Sequence, residues 1–413
     1  MQSSEKPLSQ IIDICRRKEG AFDFLNSQQR KVLGQIDICR TETAGIFVYR
    51  CENESCGHSE IQYKSCKNRA CSVCSALPRE KWKLQRENDL IPNTPYYHNV
   101  FTIPHSFSQI ASQNQKVFQS LLLKTVEQTL KSFEEEYCKG GQIGFMLVLH
   151  TWSTRLLNHY HVHAAIPGGY ILDDVWYPLN KYLFPARALA TMFRKKLCSG
   201  IRSLYRKGKL KFYGDLAPLN DPGVFSEVID KGYKKKWYVH SEVTKGNDPS
   251  RIMGYLANYV YKTAIDHSRI VTINENEVSF TYRSHEENDR GAWKSLALRP
   301  EEFLRRFSSH IQPSRFVRIR YYGIIGGGVK RRYLSLIFKQ LKSEYEAINQ
   351  KIHRSSCEDI KELSGRMTAY LCPCCRSKML SPWEVYKRNA GLDPPGDCES
   401  LDSNEQVITK VCA

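Results

Sequence analysis

Two histidines on either side of one apolar residue are the first feature of this sequence that could do chemistry. They are His161 and His163, and they flank Val162 within the run 160–169. If this run is a strand, residues two apart lie on the same face, so both imidazoles project together while Val162 faces a core. Two neutral imidazoles side by side supply half of a site for a divalent metal. Such a pair also occurs by chance, so the remaining parts of a site have to come from elsewhere in the chain.

Two tyrosines in the run 251–262 could supply a nucleophile for such a site. Tyr255 and Tyr259 stand four residues apart, so a helix places both phenols on one face. Tyr261 does not share that face. Core packing is the commoner role for tyrosine, so the pair gains its meaning from the groups around it.

Clustered cysteines are a third candidate for chemistry. The chain has 15 cysteines, and clusters of them in a reducing compartment favour zinc over disulfides. In the N-terminal cluster, two cysteines form a Cys-x4-Cys knuckle and two more form a CxxC knuckle. Gly57 follows the first knuckle, where the tight turn needs a residue with a flexible backbone. Such a four-thiolate site is structural, because no coordination position stays open for substrate. The first-choice zinc ligands are Cys51, Cys56, Cys71 and Cys74, and the alternatives for one position are Cys39, Cys66 and His58.

A second group of cysteines lies near the end of the sequence. Cys372, Cys374 and Cys375 offer one CxxC knuckle with no clear second one. Cys357 and Cys398 are possible completions of a site there.

The charge of the chain points to a polyanionic partner. Lys and Arg total 61 against 43 Asp and Glu, which gives a net charge of +18. An excess of this size favours nucleic acid first and an acidic membrane second. The sequence contains no run of about 18 apolar residues, which is the length that a membrane-spanning helix needs. Residues 1–10 are polar and lack the apolar centre of a signal peptide, so we expect a cytosolic protein.

Basic residues interleaved with aromatic ones occur twice, in the runs 231–240 and 315–323. This mixture suits phosphate contact combined with base stacking. Basic residues also lie near the cysteine cluster and after the tyrosine pair, where a solvated surface is the alternative explanation. The candidate nucleic-acid contacts are Lys67, Arg69, Lys234, Lys235, Lys236, Lys262, Arg318 and Arg320.

Phosphodiester transfer on DNA is the chemistry that joins these features. A tyrosine hydroxyl attacks the phosphorus and leaves a 5′-phosphotyrosine and a free 3′-hydroxyl. A divalent metal held by histidines polarises and orients the scissile phosphate. A second tyrosine allows a second cleavage before the first link is resolved.

The elements that position these residues follow from hydrophobic periodicity and turn residues. The order around the histidines is strand, helix, strand and strand, and the last two strands are expected to pair antiparallel. The predicted strands are 96–104, 145–152 and 160–166, with a hairpin over 268–282. The predicted helices are 81–90, 106–138, 187–207, 251–262, 300–310 and 330–352.

Several sequence blocks occur in an order that is characteristic of one family. They are Cys39-Arg-Thr, Tyr49-Arg-Cys51, Cys56-Gly57-His58, Ser65-Cys66 through Arg69 to Cys71-x-x-Cys74, Tyr97-His98 through Phe101-Thr102 to Pro104, His159-Tyr-His161-Val-His163, Gly168-Gly169, Tyr255 through Tyr259 to Lys262, Ala264-Ile265, Ser268-Arg269-Ile270, Phe303 to Phe307, and Arg318 to Gly323. Together these blocks resemble the two-tyrosine rolling-circle transposases of the HUH class, the family of insertion sequence ninety-one.

The resemblance implies an α+β fold: an HUH nuclease domain, with helices packed on an antiparallel sheet, preceded by a small cysteine-rich zinc-binding domain. It implies Tyr255 and Tyr259 as the nucleophile pair, and His161 and His163 as ligands of Mg²⁺ or Mn²⁺. It also implies structural Zn²⁺ at the N-terminal cysteines. The substrate would be single-stranded DNA or an extruded hairpin at a transposon end, handled in a prokaryotic cytoplasm at the nucleoid.

The sequence departs from the family pattern in two places, and a third point stays open. The first knuckle is Cys-x4-Cys where CxxC is commoner, and Tyr160 stands where proline is common. HUH nucleases need a third metal ligand that this sequence does not reveal, and His159 and His98 are the candidates.

The expected domains are 1–90 (helical, with a four-cysteine zinc-binding site), 91–325 (nuclease) and 326–413 (basic and helical). The alternative functions are an HUH replication initiator or relaxase, which shares the chemistry, and a non-catalytic zinc-finger DNA-binding protein.

Overall fold

Five antiparallel strands form the central sheet of the computed structural model, which describes residues 6–87, 89–179, 185–243, 254, 259–284, 289, 291–341 and 371–389. The chain divides into two compact units. The first comprises Met1–Asp37 and Cys66–Ser355, and the second comprises Ile38–Ser65 and Ser356–Ala413. The predicted domain boundaries at residues 90 and 325 do not coincide with these limits and stay predictions. Within the described ranges, no helix combines the length and apolar character needed to cross a bilayer.

Helices and strands are mixed along the chain. The strands are β1 (Ile46–Cys51), β2 (Ser59–Tyr63), β3 (Tyr96–Thr102), β4 (Gly144–Trp152), β5 (Asn158–Pro167), β6 (Gly169–Leu172), β7 (Val175–Pro178), β8 (Val239–Val243), β9 (Ile270–Ile273), β10 (Val278–Arg283), β11 (Trp293–Leu298), β12 (Ile319–Gly323) and β13 (Met379–Leu380). The α-helices are α1 (Pro7–Arg16), α2 (Ser27–Asp37), α3 (Ser72–Glu87), α4 (His105–Gln113), α5 (Gln115–Tyr137), α6 (Ala186–Arg206), α7 (Pro222–Lys234), α8 (Pro300–Ser309), α9 (Lys330–Gln340) and α10 (Pro382–Asn389). The α+β class with antiparallel sheets is confirmed.

The central sheet of the first unit has the strand order β12-β4-β5-β3-β8. Both of its faces are buried, because alternate side chains of a strand point to opposite faces and here enter two different cores. Leu147 and Leu149 belong to a large core that α4 to α7 cover. Met146 and Val148 belong to a second cluster, which also contains Val260 from the tyrosine segment. All nine residues of β4 are therefore buried.

The same alternation puts the histidines on the face of the second cluster. Val162 is fully buried in the large core, so His161 and His163 point the other way, as predicted. Register places His150 of β4 directly opposite His161 of β5. His98 of β3 lies on this face as well, because Tyr96 two residues earlier belongs to the second cluster.

Most of the predicted elements are confirmed, with one correction. The single helix predicted over 106–138 is two helices, α4 and α5, which meet at Asn114. The Asn114 side-chain amide accepts a hydrogen bond from the backbone N–H of Lys211 and donates one to its carbonyl. This polar tether to another chain segment fixes the break. The helix predicted over 330–352 is observed as α9, and 342–352 lies outside the described residues.

The predicted hairpin over 268–282 is β9 followed by β10, and β11 extends it to a three-stranded sheet. Its turn is set by Asn274, whose side-chain oxygen accepts from the backbone N–H groups of Asn276 and Glu277. Asparagine favours turns because its side chain can satisfy backbone donors in this way.

The second unit is built on a three-stranded antiparallel sheet with the order β13-β1-β2. Its central strand comes from the N-terminal part of the chain and one edge strand from the C-terminal part. Arg50 pairs with Leu380 and Cys51 with Met379.

Candidate metal centre and tyrosine site

Three imidazoles meet on the central sheet. The ligand nitrogens of His150, His161 and His163 all lie within 4.8 Å of one another. His150 faces His161 directly across the β4–β5 pair, and His163 is its diagonal neighbour. His150 was missed by the sequence analysis. A signal existed, since His150 lies near the end of the strand predicted to pair with His161 and His163.

Each of the three imidazoles has one ring nitrogen committed to a partner. His150 Nε2 lies 2.6 Å from the Tyr259 carbonyl oxygen, and it donates to that acceptor. His161 Nδ1 lies 3.0 Å from the carbonyl oxygen of His159 and also donates. A backbone acceptor fixes the tautomer of its histidine, so the other nitrogen presents a lone pair.

His163 is fixed in the same way through a chain of side chains. Its Nδ1 lies 2.9 Å from His98 Nε2, and His98 Nδ1 lies 3.1 Å from the Glu242 carboxylate. Glu242 stands directly opposite His98 in the β3–β8 register. A carboxylate only accepts, so His98 donates from Nδ1 and accepts from His163 Nδ1. His163 Nε2 is then left with a lone pair, and it is buried without a hydrogen-bond partner among the described residues.

The two histidines predicted as candidates for the third metal ligand, His98 and His159, lie outside the group of converging imidazoles. His98 lies behind His163, with one nitrogen toward His163 and the other toward Glu242. His159 is exposed, and its backbone carbonyl holds His161. Neither belongs to the group whose ligand atoms converge, and His150 does.

Burial keeps these imidazoles neutral at physiological pH. It lowers the pKa of His161 to about 3, with the neighbouring His159 adding to the effect. Burial also lowers the pKa of His150 well below its ordinary value, and nearby His161 and Arg318 contribute. The pKa of His163 is lowered by burial and by His150. Neutral imidazole is the form that binds metals, so the donor set fits a divalent cation.

Tyr259 packs against this cluster. Its ring centroid lies 4.4 Å from that of His163 and 4.9 Å from that of His98. Tyr259 and Val260 are helical, and Val260 is fully buried. Tyr261 and Lys262 are not helical, so the helix predicted to reach residue 262 ends at Val260. Tyr255 and the other residues of 251–258 lie outside the described residues, apart from Gly254, which is helical.

Arg318 holds the end of this tyrosine segment. Its guanidinium donates to the Val260 carbonyl at 2.9 Å and to the Lys262 carbonyl at 3.2 Å. Only 6% of Arg318 is exposed. Its hydrogen bonds position the backbone next to Tyr259, and its assignment as a DNA contact stays a prediction.

Other predicted DNA contacts lie on open surfaces. Lys234, Lys235 and Lys236 follow one another at the end of α7 and are all exposed. Lys236 Nζ lies 5.0 Å from the ring centroid of Tyr238, which is 64% exposed. A cation beside an exposed aromatic face suits both a phosphate and a base. Lys262 is also exposed, and Arg320 is half-buried on β12.

A basic cleft of about 300 Å³ lies close to the histidines within the first unit. Lys67, Arg69, Arg315 and Arg318 supply its positive charge. Trp152 also lines it, and the Trp152 ring stacks on His150 at a centroid distance of 4.6 Å. An aromatic wall thus connects the cleft with the imidazole cluster.

The four first-choice zinc ligands do not form one site. Cys71 and Cys74 lie with Cys66 in the first unit, and the Cys66 and Cys74 sulfurs are 3.6 Å apart. Cys51 and Cys56 instead lie with Cys372 and Cys375, and all four sulfurs are within 4.8 Å of one another. The reason is strand pairing: β1 ends at Cys51 beside β13, which follows the C-terminal knuckle. Cys39 stays a prediction as an alternative zinc ligand.

Comparison with known proteins gives the family. A family model described as a transposase zinc-binding domain matches residues 10–103, and one described as a putative transposase matches residues 144–332. A curated relative, the putative transposase y4qJ of Sinorhizobium fredii, is 32% identical over 401 residues, which cover 94% of this chain and 98% of the relative. The chain belongs to the insertion-sequence-ninety-one family of transposases.

A second curated relative supports the assignment of the chain to this transposase family. It is the transposase for insertion sequence element IS801 of Pseudomonas savastanoi pv. phaseolicola, 27% identical over 380 residues that cover 90% of this chain and 86% of the relative. No solved structure is significantly similar to the chain. The match over 144–332 contains all three converging histidines and Tyr259. The zinc-binding match contains the Cys66 group, which supports structural zinc in this part of the transposase.

Proposed function

We propose that this transposase cleaves and rejoins single-stranded transposon ends through 5′-phosphotyrosine intermediates, in transposition of the rolling-circle type. Tyr255 and Tyr259 are the nucleophile pair, and their hydroxyls attack phosphorus to leave a free 3′-hydroxyl. The observation that carries the proposal is the convergence of three tautomer-fixed imidazoles beside the ring of Tyr259. This convergence supports the proposal independently of family membership, because it brings a metal donor set next to a proposed nucleophile.

His150, His161 and His163 would hold the divalent cation, and the buried lone pair of His163 Nε2 fits this role. When bound, the cation would supply Lewis-acid charge to the scissile phosphate. Three imidazoles form a nitrogen donor set, which is more typical of transition-metal ions than of Mg²⁺. We therefore propose that Mn²⁺ is the ion that binds more tightly at this site, with Mg²⁺ as the alternative.

The surface of the first unit suits an unpaired strand. The basic cleft with Trp152 on its wall lies next to His150, so a phosphate backbone in the cleft reaches the imidazole cluster. Lys236 beside the exposed Tyr238 adds a second cation–aromatic pair. Such pairs bind single strands without sequence preference. We propose that the chain acts on DNA in a prokaryotic cytoplasm, at the nucleoid.

A cleavage assay with 3′-labelled single-stranded DNA from the transposon end tests the chemistry. The label stays with the fragment whose 5′ phosphate becomes linked to tyrosine, so a covalent adduct appears on a denaturing gel with Mn²⁺ or Mg²⁺. The double variant Tyr255→Phe with Tyr259→Phe should form no adduct. Tyr261→Phe is the matched control and should keep it, since this ring packs edge-on against Trp82.

An adduct that survives in the double variant would show that another group is the nucleophile. His150→Gln should lose most of the adduct, whereas His159→Gln, which leaves the backbone carbonyl in place, should keep it. The DNA flanking the gene gives an independent test of the rolling-circle type. Subterminal hairpins without terminal inverted repeats or target duplication are expected there.

A further inference from the structure

We infer that Cys51, Cys56, Cys372 and Cys375 bind a structural zinc ion of their own, separate from any ion at the Cys66 group. This site would tie the C-terminal knuckle to the N-terminal hairpin inside the second unit. The family match to a zinc-binding domain ends at residue 103, so it covers only two of the four ligands. The inference is independent of the cleavage chemistry.

The sulfur positions fit a tetrahedral zinc site. The Cys51 and Cys375 sulfurs are 3.4 Å apart, and those of Cys56 and Cys372 are 3.7 Å apart. Zinc–sulfur bonds of about 2.3 Å in a tetrahedron put the sulfurs about 3.8 Å from one another. A disulfide needs about 2.05 Å, and all four cysteines are free thiols.

The backbone gives a second argument, because the two loops are closed in the same way. The N–H of Cys51 donates to the His58 carbonyl at 2.8 Å, and the N–H of Cys372 donates to the Ser377 carbonyl at 2.8 Å. In both loops the acceptor stands two residues after the second cysteine. Each second cysteine is also followed by a residue with positive φ, which is +62° at Gly57 in the first loop.

The residue in the corresponding place of the C-terminal loop is Arg376, with φ of +64°. A non-glycine residue rarely adopts this conformation, so the surrounding structure has to hold it there. The two loops are thus a pair of knuckles that point their sulfurs at one another, although their lengths differ. Paired knuckles are the usual frame of a four-thiolate zinc site.

The second unit also needs such a ligand for stability. Of its described residues, the buried hydrophobic ones are only Cys39, Cys372 and Met379. On the β1–β2 hairpin Phe47 and Ile61 are exposed. A unit with so little apolar burial cannot offset the entropy of ordering its chain, and a structural metal supplies the missing free energy.

A rival arrangement uses His58 and Cys374. His58 Nδ1 lies 3.5 Å from the Cys374 sulfur, and these two residues form a three-ligand group with Cys372. Cys374 is exposed, whereas the four-thiolate group needs no ligand from outside. The two arrangements share only Cys372, so substitution of any other ligand separates them.

Native mass spectrometry of the full chain, purified under reducing conditions with zinc, tests the inference. The His150→Gln, His163→Gln variant, which lacks the three-histidine donor set, serves as the parent chain and should carry two zinc ions. The cysteine and His58 substitutions are made in this parent. Cys375→Ser and Cys56→Ser should each carry one, and Cys71→Ser should also carry one because it affects the other group. Cys374→Ser is the matched control next in the chain, and it should keep two, as should His58→Gln.

The inference fails if Cys375→Ser keeps the full zinc count, or if Cys374→Ser loses an ion instead. It also fails if the chain mass is lower by about 2 Da for a Cys51–Cys375 disulfide. Hydrogen exchange guards against variants that misfold. Chelation of zinc from the unsubstituted chain should speed exchange in 46–63 and 371–380 together, and the Cys71→Ser variant should keep both segments protected.

Discussion

The position of a single proton at His163 decides whether this imidazole can bind a metal. The Glu242 carboxylate accepts from His98, and His98 accepts from His163 Nδ1, which leaves His163 Nε2 with its lone pair. If His98 turned its proton toward His163, that histidine would have to carry its own proton on Nε2 and could not bind. Glu242 thus acts on the proposed metal site through two hydrogen bonds.

Glu242→Gln is expected to weaken Mn²⁺ binding by roughly 10-fold to 100-fold, the usual effect of removing a partner of a metal-ligating histidine. A glutamine amide can donate as well as accept, so it no longer dictates the tautomer of His98. Titration of Mn²⁺ followed by electron paramagnetic resonance measures the affinity. Glu136→Gln, on α5, is the control with the same charge change. Equal affinity in both variants would remove Glu242 from the site.

At the scale of elements, the tyrosine segment depends on the neighbouring strands for its position. Arg318, next to β12, reaches the carbonyls of Val260 and Lys262, while His150 of β4 holds the carbonyl of Tyr259. Three of the four carbonyls from 259 to 262 therefore accept from two side chains of the sheet region. Tyr259, the proposed nucleophile, is thereby fixed relative to the strands that carry the histidines.

Arg318→Met is expected to lower the free energy of unfolding by about 1–3 kcal/mol, because two carbonyls lose a buried donor. Adduct formation should fall with it, since Tyr259 is no longer held. Chemical denaturation measures the first effect and the 3′-label assay the second. Arg315→Met is the control in the same cleft, where the side chain is exposed. It should weaken DNA binding without loss of stability, and equal destabilisation of both variants would contradict the assigned role.

The sequence predicted the histidine pair and its strand but not His150, for a physical reason. The partner of a residue across two strands depends on register, and register here follows from the loop after β4. That pairing also contains an irregularity between His150 and Trp152. Periodicity within one strand carries no information on such an offset, so His150 appeared as one more residue of a buried strand.

The cysteines show the same limit over a longer distance. Each knuckle could be read from local spacing, because a knuckle is a short loop. The partner of a knuckle is set by tertiary structure, and Cys56 and Cys372 are 316 residues apart. Local spacing therefore predicted that Cys51 and Cys56 share a site with the next knuckle in the sequence. In the structure, strand pairing places them beside a distant knuckle instead.

For the whole molecule, the net charge of +18 determines how DNA is approached. A field of this sign speeds encounter with any nucleic acid and is screened by salt. Specific phosphate contacts add to it, and each contact releases counterions from the strand. The three consecutive exposed lysines before Trp237 are the densest set of such contacts among the predicted ones.

Simultaneous change of Lys234, Lys235 and Lys236 to Gln should weaken single-stranded DNA binding and reduce the slope of log K against log salt by about 2. Fluorescence anisotropy over a range of salt concentrations measures the slope. A variant with Lys31, Lys131 and Lys139 changed to Gln has the same net charge and should keep the slope. Equal slopes in the two variants would mean that only overall charge matters at this surface.

The pairing of β1 with β13 has a consequence for biosynthesis. Translation delivers the hairpin early, and Cys372 follows Cys56 only after 316 residues. At 5–20 residues per second the ribosome needs roughly 16 to 60 s for that distance. During this interval Cys51 and Cys56 have no C-terminal partners, and the sheet of the second unit cannot close. A ribosome that stops early therefore releases a chain whose hairpin lacks its third strand.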